Sequence, residues 1–118
     1  PETASATYVL GDTARDAIDV GDIDEYNASA TAGAFLTAYL RVTATPVPSG
    51  SGLTLEIINP VTGDTLAGKG IQIFGQSQLF PVGSFQVPSG GHFTIRVRGS
   101  GTFGDDIITA PYEMMVKP

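Results

Sequence analysis

No cysteine and no tryptophan occur in the 118 residues, and lysine appears only as Lys69 and Lys117. The missing thiols exclude a disulfide framework and a thiolate metal site, so the core is held by burial alone or with an oxygen-ligated cation. Long apolar runs are missing too. Nothing approaches the ~20 residues that a membrane-spanning helix needs, and the start Pro1-Glu2-Thr3-Ala4 has neither the basic nor the apolar region of an export signal. What remains is rich in glycine, proline, serine and threonine, a composition that suits short strands joined by tight turns.

The net charge of −6 is unevenly placed. Residues 1–40 carry Glu2, Asp12, Asp16, Asp19, Asp22, Asp24 and Glu25 against Arg15 alone. Beyond them Glu56, Asp64, Asp105, Asp106 and Glu113 are balanced by Arg41, Lys69, Arg96, Arg98 and Lys117. A phosphate-binding surface or a polybasic anchor needs clustered cations, so neither nucleic acid nor membrane insertion is expected.

Period-two alternation dominates the chain. Phe93, Ile95 and Val97 alternate with Thr94, Arg96 and Arg98, and Leu36, Ala38, Leu40 and Val42 alternate with Thr37, Tyr39, Arg41 and Thr43. Each run predicts a half-buried antiparallel strand, and Thr45-Pro46-Val47-Pro48-Ser49-Gly50 ends the second. Leu53, Leu55 and Ile57 lead into Asn59-Pro60-Val61-Thr62-Gly63-Asp64 and a returning strand from Thr65, which reads as a hairpin. Shorter strands are expected at Tyr8–Leu10, Tyr26–Ala30, Ile71–Phe74, Ser84–Val87 and Tyr112–Val116. Thr13–Ile18, capped by Asp12 or Thr13, reads as a short helical turn. With no repeat of period about 20 to 50 residues, the expectation is an all-β, two-sheet antiparallel β-sandwich of jelly-roll type. It has about eight short strands and little or no helix. One domain spans residues 1–118, with 1–11 a linker or first strand.

Three groups of residues in order resemble a bacterial family, the pre-peptidase C-terminal domain, which is similar to the collagen-binding domains of clostridial collagenases. They are Gly21-Asp22-Ile23-Asp24-Glu25-Tyr26, then Leu53-Thr54-Leu55-Glu56-Ile57 with Asn59-Pro60 and Gly63. Val87-Pro88-Ser89-Gly90-Gly91-His92-Phe93-Thr94-Ile95-Arg96-Val97 completes them. The match runs from about residue 12 to the end. Glu25 departs from it, standing where many members carry an aromatic residue. The resemblance implies a secreted or cell-surface setting, usually as an appendage to a larger protein such as a peptidase. It implies a non-catalytic accessory role toward a matrix, cell-wall or protein partner, and calcium near the first motif. A structural spacer or assembly module without its own ligand is the alternative.

Candidate site residues follow from charge and exposure. Asp22 and Asp24 lie two apart on an extended chain and can present carboxylates to one side, as a hard cation such as Ca²⁺ requires. Equally, they are solvated loop carboxylates, with Asp24 accepting backbone N–H bonds. Tyr39 and Arg41 on one polar face, and Arg96 and Arg98 on another, are candidates for a binding surface, because Tyr and Arg recur at protein interfaces. Catalysis finds no constellation. His92 is the sole histidine and no nucleophile elbow accompanies it. Gly99-Ser100-Gly101-Thr102-Phe103-Gly104 lacks the Gly-Lys-Ser/Thr ending of a phosphate loop.

Overall fold

The structure, a computed structural model, describes residues 3–18, 22–42, 51–72, 80–101 and 110–118. They form nine strands: β1 (Thr3–Thr7), β2 (Ala14–Ile18), β3 (Ile23–Ser29), β4 (Phe35–Val42), β5 (Ser51–Ile58), β6 (Thr65–Gln72), β7 (Phe80–Gln86), β8 (His92–Gly101) and β9 (Ala110–Lys117). No described residue is helical. One sheet has the order β1-β3-β8-β5-β6 and the other β2-β9-β4-β7. Apart from the parallel β1–β3 pair, the ladders are antiparallel.

With β1 set aside, each step from β2 to β9 crosses to the opposite sheet except β5 to β6. This is the wiring of a jelly roll, the architecture expected from the many short strands and the absence of repeats. The hairpin falls where proline and glycine demand it. Asn59 N–H donates to Asp64 O at 2.8 Å, Gly63 N–H to Asn59 O at 2.8 Å, and Gly63 takes φ +80.

Alternation decides which side chains meet between the sheets. Leu36, Ala38 and Leu40 of β4, Leu53, Leu55 and Ile57 of β5, Phe93, Ile95 and Val97 of β8, and Met114 and Val116 of β9 form the core. Fully burying side chains of this size stabilises by about 1.5–3 kcal/mol each, which lets the core stand without a disulfide. Phe85 and Phe93 meet edge to face with centroids 5.0 Å apart. Met114 is buried and Met115 half-buried, as two neighbours on a strand must be.

Two elements differ from the sequence expectation. Thr13–Ile18 supplies strand β2, because β9 offers a ladder from Ala14↔Met114 to Ile18↔Ala110, and pairing along an edge overrides a weak capping signal. The first strand is Thr3–Thr7 rather than Tyr8–Leu10, and it runs parallel to β3 in register Thr3↔Ile23 to Thr7↔Asn27. Tyr8 instead pins the following turn. Its hydroxyl donates to Asp12 O at 2.5 Å and accepts from Val116 N–H at 2.8 Å. The expected strand ends at Thr43, Ala44, Ile73 and Phe74, and the loop Thr45–Gly50, lie outside the described residues.

Candidate functional site

Period two carries Asp24, Tyr26 and Ala28 of β3 inward, where all three are buried. Near this end of the sandwich the inward row is polar rather than aliphatic. Tyr112 of β9 donates its hydroxyl to Asp24 Oδ2 at 2.6 Å, and its oxygen lies 2.7 Å from that of Tyr26. Since the Tyr112 proton is committed to Asp24, Tyr26 is the donor in the second bond. The result is a buried chain, Tyr26 to Tyr112 to Asp24, joining one sheet to the other. In front of it Ser5, Ala6, Asp16, Asp24, Glu25 and Tyr26 line a cleft of about 160 Å³ between the edges β1–β3 and β2.

Burial raises the Tyr112 hydroxyl above the ordinary tyrosine value, and the hydrogen bond to Asp24 adds to it. Burial also raises Tyr26, aided by the charges of Asp24 and Asp16, and raises Tyr8. A raised tyrosine keeps its proton in the folded state while the unfolded chain releases it above the ordinary value of 10.0. Stability is therefore fully present below pH 10 and falls above it, by about 1.4 kcal/mol per pH unit for each tyrosine held neutral. Urea midpoints at pH 8, 10 and 11 should fall slightly at the second and sharply at the third. A midpoint unchanged at pH 11 would show that the three hydroxyls do not control alkaline stability.

The resemblance places calcium near Asp22 and Asp24. A hard cation needs about six to eight oxygen ligands, yet among the described residues no three acidic or histidine side chains converge to hold one. Asp24 Oδ2 already accepts the Tyr112 hydroxyl, and Asp22 is half-buried at the entry to β3, its carbonyl accepting Gly99 N–H at 3.2 Å. The described residues do not by themselves fit a calcium shell. Glu2 and Asp19 lie outside them.

The two polar faces are separate surfaces. Arg96 and Arg98 stand on the outer face of the five-stranded sheet, where Arg96 pairs with Glu25 at 3.0 Å and Arg98 with Glu56 at 3.8 Å. Charge there is locally matched. Tyr39 and Arg41 belong to the outer face of the four-stranded sheet, so the candidate residues do not join into one patch. On that second face β2, β9 and β4 bring Arg15, Glu113 and Arg41 into one row. Glu113 bonds both guanidiniums, Arg15 at 2.6 Å and Arg41 through its other oxygen, and is itself buried. Further along, the Lys117 ammonium sits 5.3 Å above the Tyr39 ring, beside Met115. Phe35, 73% exposed, begins β4 on this side.

His92 faces out from the start of β8, with Nδ1 3.1 Å from Ser29 Oγ, both groups exposed. Ser29 is its neighbour because antiparallel register sets Ser29 opposite His92. No bond aligns a carboxylate behind this imidazole among those the structure shows, so the pair is a cross-strand contact.

Fold and surface together define a jelly-roll sandwich with one polar internal seam and two chemically distinct outer faces. Solved structures of this shape include the pre-peptidase C-terminal domain of the collagenase from Bacillus anthracis. It superposes with a TM-score of 0.64 at 16% identity, covering 99% of this chain and 97% of that one. PliG, a periplasmic inhibitor of g-type lysozyme, is similar in Aeromonas hydrophila (TM-score 0.54, 13% identity, 97% of this chain and 96% of that one). The Salmonella Typhimurium PliG matches with a TM-score of 0.50 at 18% identity, covering 97% and 99%. No protein-family model and no curated sequence matches the chain. Identity this low shows the fold and leaves the function to the chemistry of the surfaces.

Proposed function

We propose that the chain is a non-catalytic accessory domain of a secreted or cell-surface bacterial protein, which attaches or positions its parent by binding a protein, matrix or cell-wall partner. The observation that carries the reading is the outer face of the four-stranded sheet. It gathers Tyr39, Met115 and Phe35 with Arg15 and Arg41, residue types enriched where proteins meet, and Lys117 adds a further positive charge. Support comes from the shared fold of a collagenase's pre-peptidase C-terminal domain and from PliG, an inhibitor of lysozyme. Inhibiting an enzyme requires a surface fitted to a protein and no catalytic residue.

Purified domain should bind saturably to collagen, peptidoglycan or a member of a glycan array. Tyr39→Ala should weaken that binding about tenfold, the loss of an aromatic anchor, with the melting temperature unchanged. Arg98→Gln on the opposite face should leave it intact. A domain that binds none of the three is a structural spacer, and turnover of a peptide, ester or glycoside that His92→Ala abolishes would overturn the non-catalytic reading.

A further inference from the structure

We propose that the outer face of the four-stranded sheet docks an extended acidic segment of a partner protein, with carboxylates four residues apart. The proposal rests on the reading of that face as an interaction surface and adds the chemistry of the partner. Three of the chain's six cations, Arg15, Arg41 and Lys117, stand on it, and among the described residues of its strands Glu113 is the acid that answers them. Glu113 is buried between two guanidiniums, so it neutralises one charge and leaves the described residues of these strands net positive on this face, in a chain of net charge −6. Among the described acids of the N-terminal third, Asp24 faces the interior, Asp16 lines the edge cleft, and Glu25 pairs with Arg96 on the other sheet.

Spacing selects the shape of the occupant. Along the backbone of β9, Glu113 of the Arg15–Glu113–Arg41 row and Lys117 are four residues apart, about 13 Å at the rise of an extended strand. An extended peptide laid along β9 presents side chains i and i+4 on one side at that same spacing. Its first carboxylate meets the exposed Arg15 side chain, 70% accessible, and its second meets the Lys117 ammonium. Tyr39 and Met115 between them supply the apolar contact. At physiological salt, screening over about 8 Å confines the partner to the local charge of this face rather than the chain's net charge.

The test is fluorescence anisotropy with labelled decapeptides carrying two aspartates at i and i+4, or at i and i+1, in a Ser/Thr background. The i, i+4 peptide should bind tighter by about fivefold. Its affinity should fall about tenfold between 50 and 500 mM NaCl, the range over which charge-steered contacts are screened. Lys117→Gln, at an exposed strand end, should weaken it several-fold with an unchanged melting temperature. Arg15→Gln should weaken it several-fold with a lowered melting temperature, because the buried Glu113 loses one of its two partners. Arg98→Gln should not weaken it. Equal affinity for the two spacings, or equal loss from Arg98→Gln, overturns the proposal. Tighter binding of a heparin oligosaccharide at the same residues would assign the face to a sulfated glycan instead. A dimer in sedimentation that Lys117→Glu disperses would assign it to a second copy. If the peptides fail while matrix binding stays sensitive to Tyr39→Ala, the acidic partner is wrong and the accessory function stands. Peptide binding without any matrix, wall or glycan binding supports the acidic partner alone.

Discussion

Tyr112→Phe is expected to lower the unfolding free energy by about 3 kcal/mol, because a hydrogen bond to a charged group contributes roughly 1.5–3 and stranded buried groups add to that. The substitution keeps the ring and its packing. What it removes is the hydroxyl that donates to Asp24 Oδ2 and accepts from Tyr26. Asp24 is 8% exposed and Tyr26 7%, so water does not readily replace the lost partner. Asp24→Asn alone should also destabilise, but in the Tyr112→Phe background its added cost should shrink by about 1–2 kcal/mol, the coupling expected of residues in direct contact. Urea denaturation of the two single variants and the double variant measures this, the slope m confirming that only stability moves. Strict additivity would mean that the three groups do not act as one network.

Gly91→Ala is expected to cost about as much, and for a different reason. Gly91 takes φ +77, and a Cβ built there would lie 2.7 Å from the carbonyl oxygen of Ala30. That oxygen is backbone, and Ala30 N–H in turn donates to Gly91 O at 2.9 Å, so neither segment moves without breaking the other. Gly90 supplies the control. Its φ is +101 but nothing lies within 4 Å of the added carbon. Gly90→Ala therefore carries only the left-handed strain, roughly 1–2 kcal/mol, and Gly91→Ala should exceed it by about 2 kcal/mol from the contact. Thermal unfolding separates them, and equal losses would show that φ alone governs the turn.

The alternating strands were legible because burial on one face writes itself into sequence at period two. Phe93, Ile95 and Val97 show it, and so do Leu36, Ala38 and Leu40. The edge strands were not. β1, Thr-Ala-Ser-Ala-Thr, carries no large apolar residue and is held through backbone pairing to β3, and Arg15, Asp16 and Ala17 of β2 are all exposed. Strands of that kind leave little hydrophobic signature for a reader of sequence. Within the site, the acidic N-terminal third was visible as charge, and the inward direction of Asp24 was available from its parity with Tyr26 and Ala28. Its partner was not, since Tyr112 is 88 residues away and only the fold brings it near. The same holds for Arg15 and Glu113, 98 residues apart.

The jelly-roll wiring also governs how the chain reaches this state. Only β5 and β6 are neighbours both in a sheet and in sequence. The remaining ladders close long loops, and β2 meets β9 only when the two ends of the chain come together. Loop-closure entropy must be met before those contacts stabilise anything. The β5–β6 hairpin can form in microseconds, whereas the sandwich assembles on the slower timescale of non-local β topologies, with its polar seam of Tyr26, Tyr112 and Asp24 completed only once sequence-distant strands have met.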